Sequence, residues 1–128
     1  MTIILYKNAT SFNYKLSAEE KVKADEIIKN IFQGVDEVLK LYFNSQRIEK
    51  LKNSEDVLEI LYKENVLLTT KEFGSINVKK IIFPLTGDFI GNNNNPAITI
   101  IRGEEEYSST PFRNTTGYNL LLKLKNFL

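Results

Sequence analysis

The chain contains no cysteine, no histidine and no tryptophan, and only three prolines and six glycines among 128 residues. Without cysteine there is no disulfide and no thiol nucleophile. Without histidine as well, zinc sites built on Cys and His and dyads of the Ser–His or Cys–His type are excluded. Long apolar runs are also missing. Ile3-Ile4-Leu5 ends at Lys7 and Asn8, and Val66-Leu67-Leu68 and Leu120-Leu121-Leu122 fall far short of a membrane span. No basic start followed by a sustained apolar stretch opens the chain, so no secretory signal is evident. These absences predict a cytoplasmic protein without membrane insertion, or an exported one if a signal segment was removed ahead of Met1.

Charge of one sign is equally scarce. Seventeen basic residues stand against 16 acidic ones, for a net charge of +1. Residues 1–64 carry ten basic and eleven acidic groups, and residues 65–128 carry seven and five. Nucleic-acid binders usually need a basic excess, so no nucleic-acid partner is expected. The glycines at 34, 74, 87, 91, 103 and 117 form no G-x-G pair, which removes the phosphate-loop and dinucleotide fingerprints.

What is present describes an ordinary folded protein. Hydrophobic residues make up 42% and charged residues 26% of the chain. The length fits a single globular domain over residues 1–128, able to bury roughly two-thirds of its unfolded surface. Met1 to Tyr6 reads as a strand, and Phe12, Tyr14 and Leu16 alternate with polar residues as a second one. Ser17 with Glu20 has the spacing of a capping box, ahead of apolar residues at helical intervals from Val22 to Phe32. Gly34 then closes a helix over about 18–33. Residues 35–43 fit helix or strand, and their β-branched and aromatic content favours a strand over 37–43. Asn44 or Ser45 can cap a short helix over about 45–52.

Further strands are predicted at 57–63 and 66–72, with a turn at Glu64-Asn65, and at 78–85 and 97–102. Thr115 or Thr116 should cap a last helix over about 117–127. The predicted fold is α+β: a mostly antiparallel sheet of about five to seven strands packed with two longer helices and one short one. The two longer helices should cover one face, and strands apolar on both faces imply that the second is partly covered too, with room for an exposed apolar patch. Phe12, Tyr14, Phe83 and Phe127 fall at inward positions and are expected in the core.

Chemistry would have to come from carboxylates, Lys, Arg, Tyr, Ser or Thr. These gather after the 97–102 strand, in Arg102, Glu104, Glu106, Tyr107, Phe112, Arg113 and Tyr118. Tyrosine with arginine is the composition of interface anchors. The leading expectation is a non-catalytic domain of inhibitor, immunity or regulatory type that binds another protein, including a second copy of itself. No catalytic residue, metal site or cofactor is assigned. The alternative is a hydrolase or lyase using Glu104, Glu106 or Asp88 with Tyr107, Arg102 or Arg113, and it requires those groups to converge with one carboxylate desolvated. A second alternative is a small-ligand or cell-surface carbohydrate or peptide binder with Asn92–Asn95 as its rim.

Overall fold

The computed structural model describes residues 1–128. Seven strands form one antiparallel sheet: β1 (Thr2–Lys7), β2 (Thr10–Tyr14), β3 (Glu37–Val38), β4 (Val57–Thr70), β5 (Gly74–Pro84), β6 (Ile98–Gly103) and β7 (Phe112–Asn114). Their spatial order is β2-β1-β4-β5-β6-β7-β3. The helices are α1 (Ala18–Gln33), α2 (Ser45–Ser54) and α3 (Tyr118–Phe127).

Strand alternation divides the core in two. Leu58 and Ile60 of β4, Ile81 and Phe83 of β5, and Ile98 and Ile100 of β6 join Ile28, Ile31 and Phe32 of α1 and Leu121 and Leu124 of α3. Adjacent residues of opposite facing, Val57, Ile82 and Ile101, meet Ile48 and Leu51 of α2, together with Phe43. The strands between the two layers are therefore apolar on both sides.

Local chemistry sets the element ends. The Ser17 side chain accepts from the Glu20 amide at 3.1 Å, and the Glu20 carboxylate accepts from the Ser17 amide at 3.0 Å. That capping box starts α1 where the sequence predicts it. Asn8 and Ala9 both have positive φ, 53° and 60°, so β1 and β2 are joined by a two-residue turn of type I′.

Several expectations need correction. Only Glu37–Val38 of the predicted 37–43 strand pairs as a strand. Beyond it, Leu39 and Phe43 each make a single amide bond, to the carbonyls of Pro111 and Ser109. The alternation of Leu39, Leu41 and Phe43 instead packs a flap of chain onto the α2 layer. The turn predicted at Glu64-Asn65 is a bulge inside a single long β4. Pairing with β5 passes from Leu61↔Lys80 to Val66↔Val78, and the intervening Lys63, Glu64 and Asn65 are exposed. β7, only three residues long, has no pattern of its own and was not predicted.

The first turn of α3 is capped by neither threonine. Gly117 holds the N-cap position without a side-chain bond. The Thr115 hydroxyl and amide donate to Asp36, and Thr116 donates to Asn114 Oδ1. Desolvation pulls the Asp36 carboxyl upward, but the Thr115 bonds outweigh it and leave its pKa below the usual value. Finally, Phe12 is 54% exposed because it lies on β2, the outermost strand, and Val22 is 68% exposed on the side of α1 opposite Ala24, Ile28 and Ile31.

Candidate functional site

Between α2 and the sheet lies a groove of about 610 Å³. Its construction begins with Asn44, whose Oδ1 accepts from the Arg47 amide at 2.8 Å and so starts α2. Ile48 and Leu51, three positions apart, bind the helix to the sheet. Lys52, one turn beyond Ile48, then reaches the β4 residue between the apolar neighbours Leu58 and Ile60, which is Glu59.

Glu59 is 5% exposed, an unusual place for a carboxylate. Three donors surround it. The Tyr6 hydroxyl donates to Oε1 at 3.0 Å, the Tyr107 hydroxyl donates to Oε2, and the Lys52 ammonium lies 3.3 Å from Oε1 and 3.2 Å from Oε2. Tyr6 comes from β1, the neighbour of β4. Tyr107 arrives by a turn after β6: Gly103 bridges back to Tyr107, and the Ser108 amide donates to the Arg102 carbonyl at 2.8 Å. A Cβ on Gly103 would come within 1.9 Å of the Glu106 carbonyl oxygen, so this reversal requires glycine. Glu104, Glu105 and Glu106 form its exposed crest.

Two cations lie over the tyrosine rings. The Lys52 ammonium is 5.0 Å from the Tyr6 ring centroid, and the Lys80 ammonium is 4.5 Å from that of Tyr107. Desolvation, reinforced by the Glu59 charge and hydrogen bond, pushes the Tyr6 phenol up to about 12. Desolvation and the same carboxylate push Tyr107 upward too. Both phenols are therefore protonated donors at neutral pH. A substrate proton finds no vacant oxygen on Glu59 unless a phenol or the ammonium first withdraws.

The groove surface carries Tyr42, 66% exposed, along with Phe43, Asn44, Lys80, Glu106 and Tyr107. Of the residues singled out from sequence, Glu106 and Tyr107 meet here. Arg102 and Phe112 meet elsewhere: the guanidinium lies 3.8 Å from the Phe112 ring centroid and donates to the Thr110 carbonyl at 2.6 Å. Burial lowers the Arg102 pKa. Phe112 is 4% exposed, belongs to the α1 layer and stacks on Phe73 at 5.3 Å. Tyr118 also packs against that layer. Arg113 sits on β7 opposite Glu37, and Glu104 accepts from the Asn65 amide group at 2.9 Å.

Asp88 lines a separate cleft with Arg47, Glu55 and Phe89. Arg102, Glu104 and Glu106 line a further cleft of about 280 Å³, but both glutamates are exposed there and neither Tyr107, Arg113 nor Asp88 lines it. None of the carboxylates named in the hydrolase alternative is therefore desolvated; the buried one is Glu59. No three acidic residues gather as a metal-holding group. Asn92–Asn95 closes on itself, with Asn92 Oδ1 accepting from the amides of Asn94 and Asn95. No helix is long and apolar enough to cross a membrane.

Sequence reasoning missed Glu59, Lys52, Tyr6, Tyr42 and Lys80. A signal for Glu59 existed: it is the lone charge in Val57-Leu58-Glu59-Ile60-Leu61, a stretch apolar on both faces. The sequence matches no protein-family model, and neither the curated proteins nor the solved structures contain a significant match.

Proposed function

We propose that the protein is a non-catalytic domain of inhibitor, immunity or regulatory type that binds another protein through the α2 groove. The observation that supports this reading is the closed network around Glu59. Its carboxylate is held by three donors from three elements, so it serves as a rigid floor rather than a reactive acid or base. Above it, Tyr42 offers an exposed ring, with Lys80 and Glu106 supplying both charge signs at the rim. An exposed tyrosine inside a polar rim matches the anatomy of a contact surface, in which aromatic anchors carry most of the binding energy.

Affinity capture from the native host at low salt tests the reading. The wild-type chain should retain a stoichiometric partner, and the double variant Tyr42→Ala, Lys80→Glu should lose it while keeping its circular dichroism spectrum. Retention by that variant, or turnover of a substrate that Glu59→Gln abolishes, overturns the proposal. The second result would transfer the function to carboxylate chemistry at Glu59.

A further inference from the structure

The two edges of the sheet are built differently. β3 ends it with two paired residues, too short to template another strand. β2 ends the other side with Thr10-Ser11-Phe12-Asn13-Tyr14, which contains no charge and no proline. Its first four residues are exposed. Natural edges are commonly blunted by lysine, proline, bulges or cover, and β2 has none of these within its span.

The ladder fixes which groups of β2 are free. A two-residue turn closes on a hydrogen-bonded pair, here Lys7↔Thr10. Hydrogen-bonded and non-hydrogen-bonded pairs then alternate, so Thr10, Phe12 and Tyr14 bond to β1. The N–H and C=O groups of Ser11 and Asn13 point away from the sheet. A two-fold axis through Phe12 sets Ser11 opposite Asn13 of a second copy, and Asn13 opposite its Ser11. Every outward donor then meets an outward acceptor. Phe12 faces Phe12 of the second copy as a non-hydrogen-bonded pair, the arrangement with the closest side chains. Thr10 and Tyr14 flank that pair, and Lys7 and Lys15 oppose no like charge. A shift by one residue in either direction leaves the hydrogen-bonding groups out of phase. A shift by two sets one Ser11 or Asn13 pair against the turn or Lys15.

We propose that β2 is a self-association edge, at which two copies of this chain pair antiparallel about Phe12 into one continuous sheet. The contact does not involve the α2 groove, so it stands or falls independently of the proposed function. It is a small contact, and the expected dimer is weak, with dissociation in roughly the micromolar range or above.

Because the chain has no cysteine, single-cysteine variants report the geometry directly. Opposed Cα atoms of a non-hydrogen-bonded pair lie within disulfide reach. Under mild oxidation Phe12→Cys should cross-link to a covalent dimer at least about tenfold faster than Ser11→Cys, which projects from the other face. In sedimentation velocity over increasing concentration, the wild type should show reversible dimerisation. Asn13→Pro should abolish it without unfolding, because the amide it removes faces outward and proline is tolerated on an edge. Equal cross-linking of the two cysteine variants, a wild type monomeric at every concentration, or a dimer that survives Asn13→Pro would each overturn the inference. A monomer whose β2 amides become protected only when a different protein is added also overturns it, and assigns the edge to that protein.

Discussion

The two faces of the sheet differ in kind. The α1–α3 layer unites 19 buried residues and is apolar almost throughout. The α2 layer has six buried apolar residues, and beside them sits a charged network open to a groove. One sheet thus separates two tasks: the dry layer supplies most of the burial, and the thinner layer holds polar groups in fixed positions close to solvent. A thin layer tolerates a buried carboxylate because donors can reach it from α2, β1 and the turn after β6.

The largest effect should come from emptying the dry layer. Phe32→Ala, at a fully buried site, is expected to cost about 3–5 kcal/mol in urea or thermal unfolding. A loss no greater than that of Ile48→Ala under α2 would erase the distinction between the layers. Next comes the network. Glu59→Gln leaves the mostly buried Lys52 ammonium without its counter-charge and should cost about 3 kcal/mol. Removing the ammonium as well, as Glu59→Gln with Lys52→Met, should recover most of that loss, because the glutamine amide can still bond both phenols. If the double variant is no better than the single one, the network acts through something other than charge burial.

Alkaline pH probes the same layer more gently, over a background set by the Tyr62 phenol of the dry layer, which burial also pushes up. The Tyr6 and Tyr107 phenols hold their protons more tightly in the folded chain than in the unfolded one. As pH rises past the ordinary tyrosine value of 10.0, the unfolded chain releases protons first, so stability falls. The Tyr6 contribution is fully present below about pH 10 and is lost by about pH 12. Urea midpoints across that window should decline, and Tyr6→Phe should shrink the decline. The smallest effect belongs to the dry face. Tyr62, packed against that layer, carries a buried hydroxyl without a hydrogen-bond partner. Tyr62→Phe should change stability by less than about 0.5 kcal/mol or raise it slightly. A loss of more than about 1 kcal/mol would mean that this hydroxyl is bonded after all.

The α+β class, the capping box of α1, the three helices and the antiparallel sheet were readable because each rests on local periodicity or capping chemistry. The 37–43 flap was misread because its alternation records packing on α2, not a ladder. β7 was invisible because three residues carry no period. The candidate site was legible only at Tyr107 and Glu106. Lys52, Tyr6 and Lys80 are ordinary residues in their own segments, and only sheet order and the reversal at Gly103 bring them together. Glu59 alone broke the local pattern, and the acidic triplet after β6 drew attention because it is dense, although it forms an exposed turn.

Glu59 has one more consequence, for how β4 finds its place. Side chains along a strand alternate, so sliding β4 by a single position against its neighbours would turn Glu59 into the α1 layer and Leu58 and Ile60 toward the groove. The three donors that hold it, Tyr6, Tyr107 and Lys52, stay on the α2 side, and an unpaired carboxylate in the α1 layer would cost several kcal/mol. One misplaced-looking charge thereby acts as a key that admits a single alignment of the longest strand.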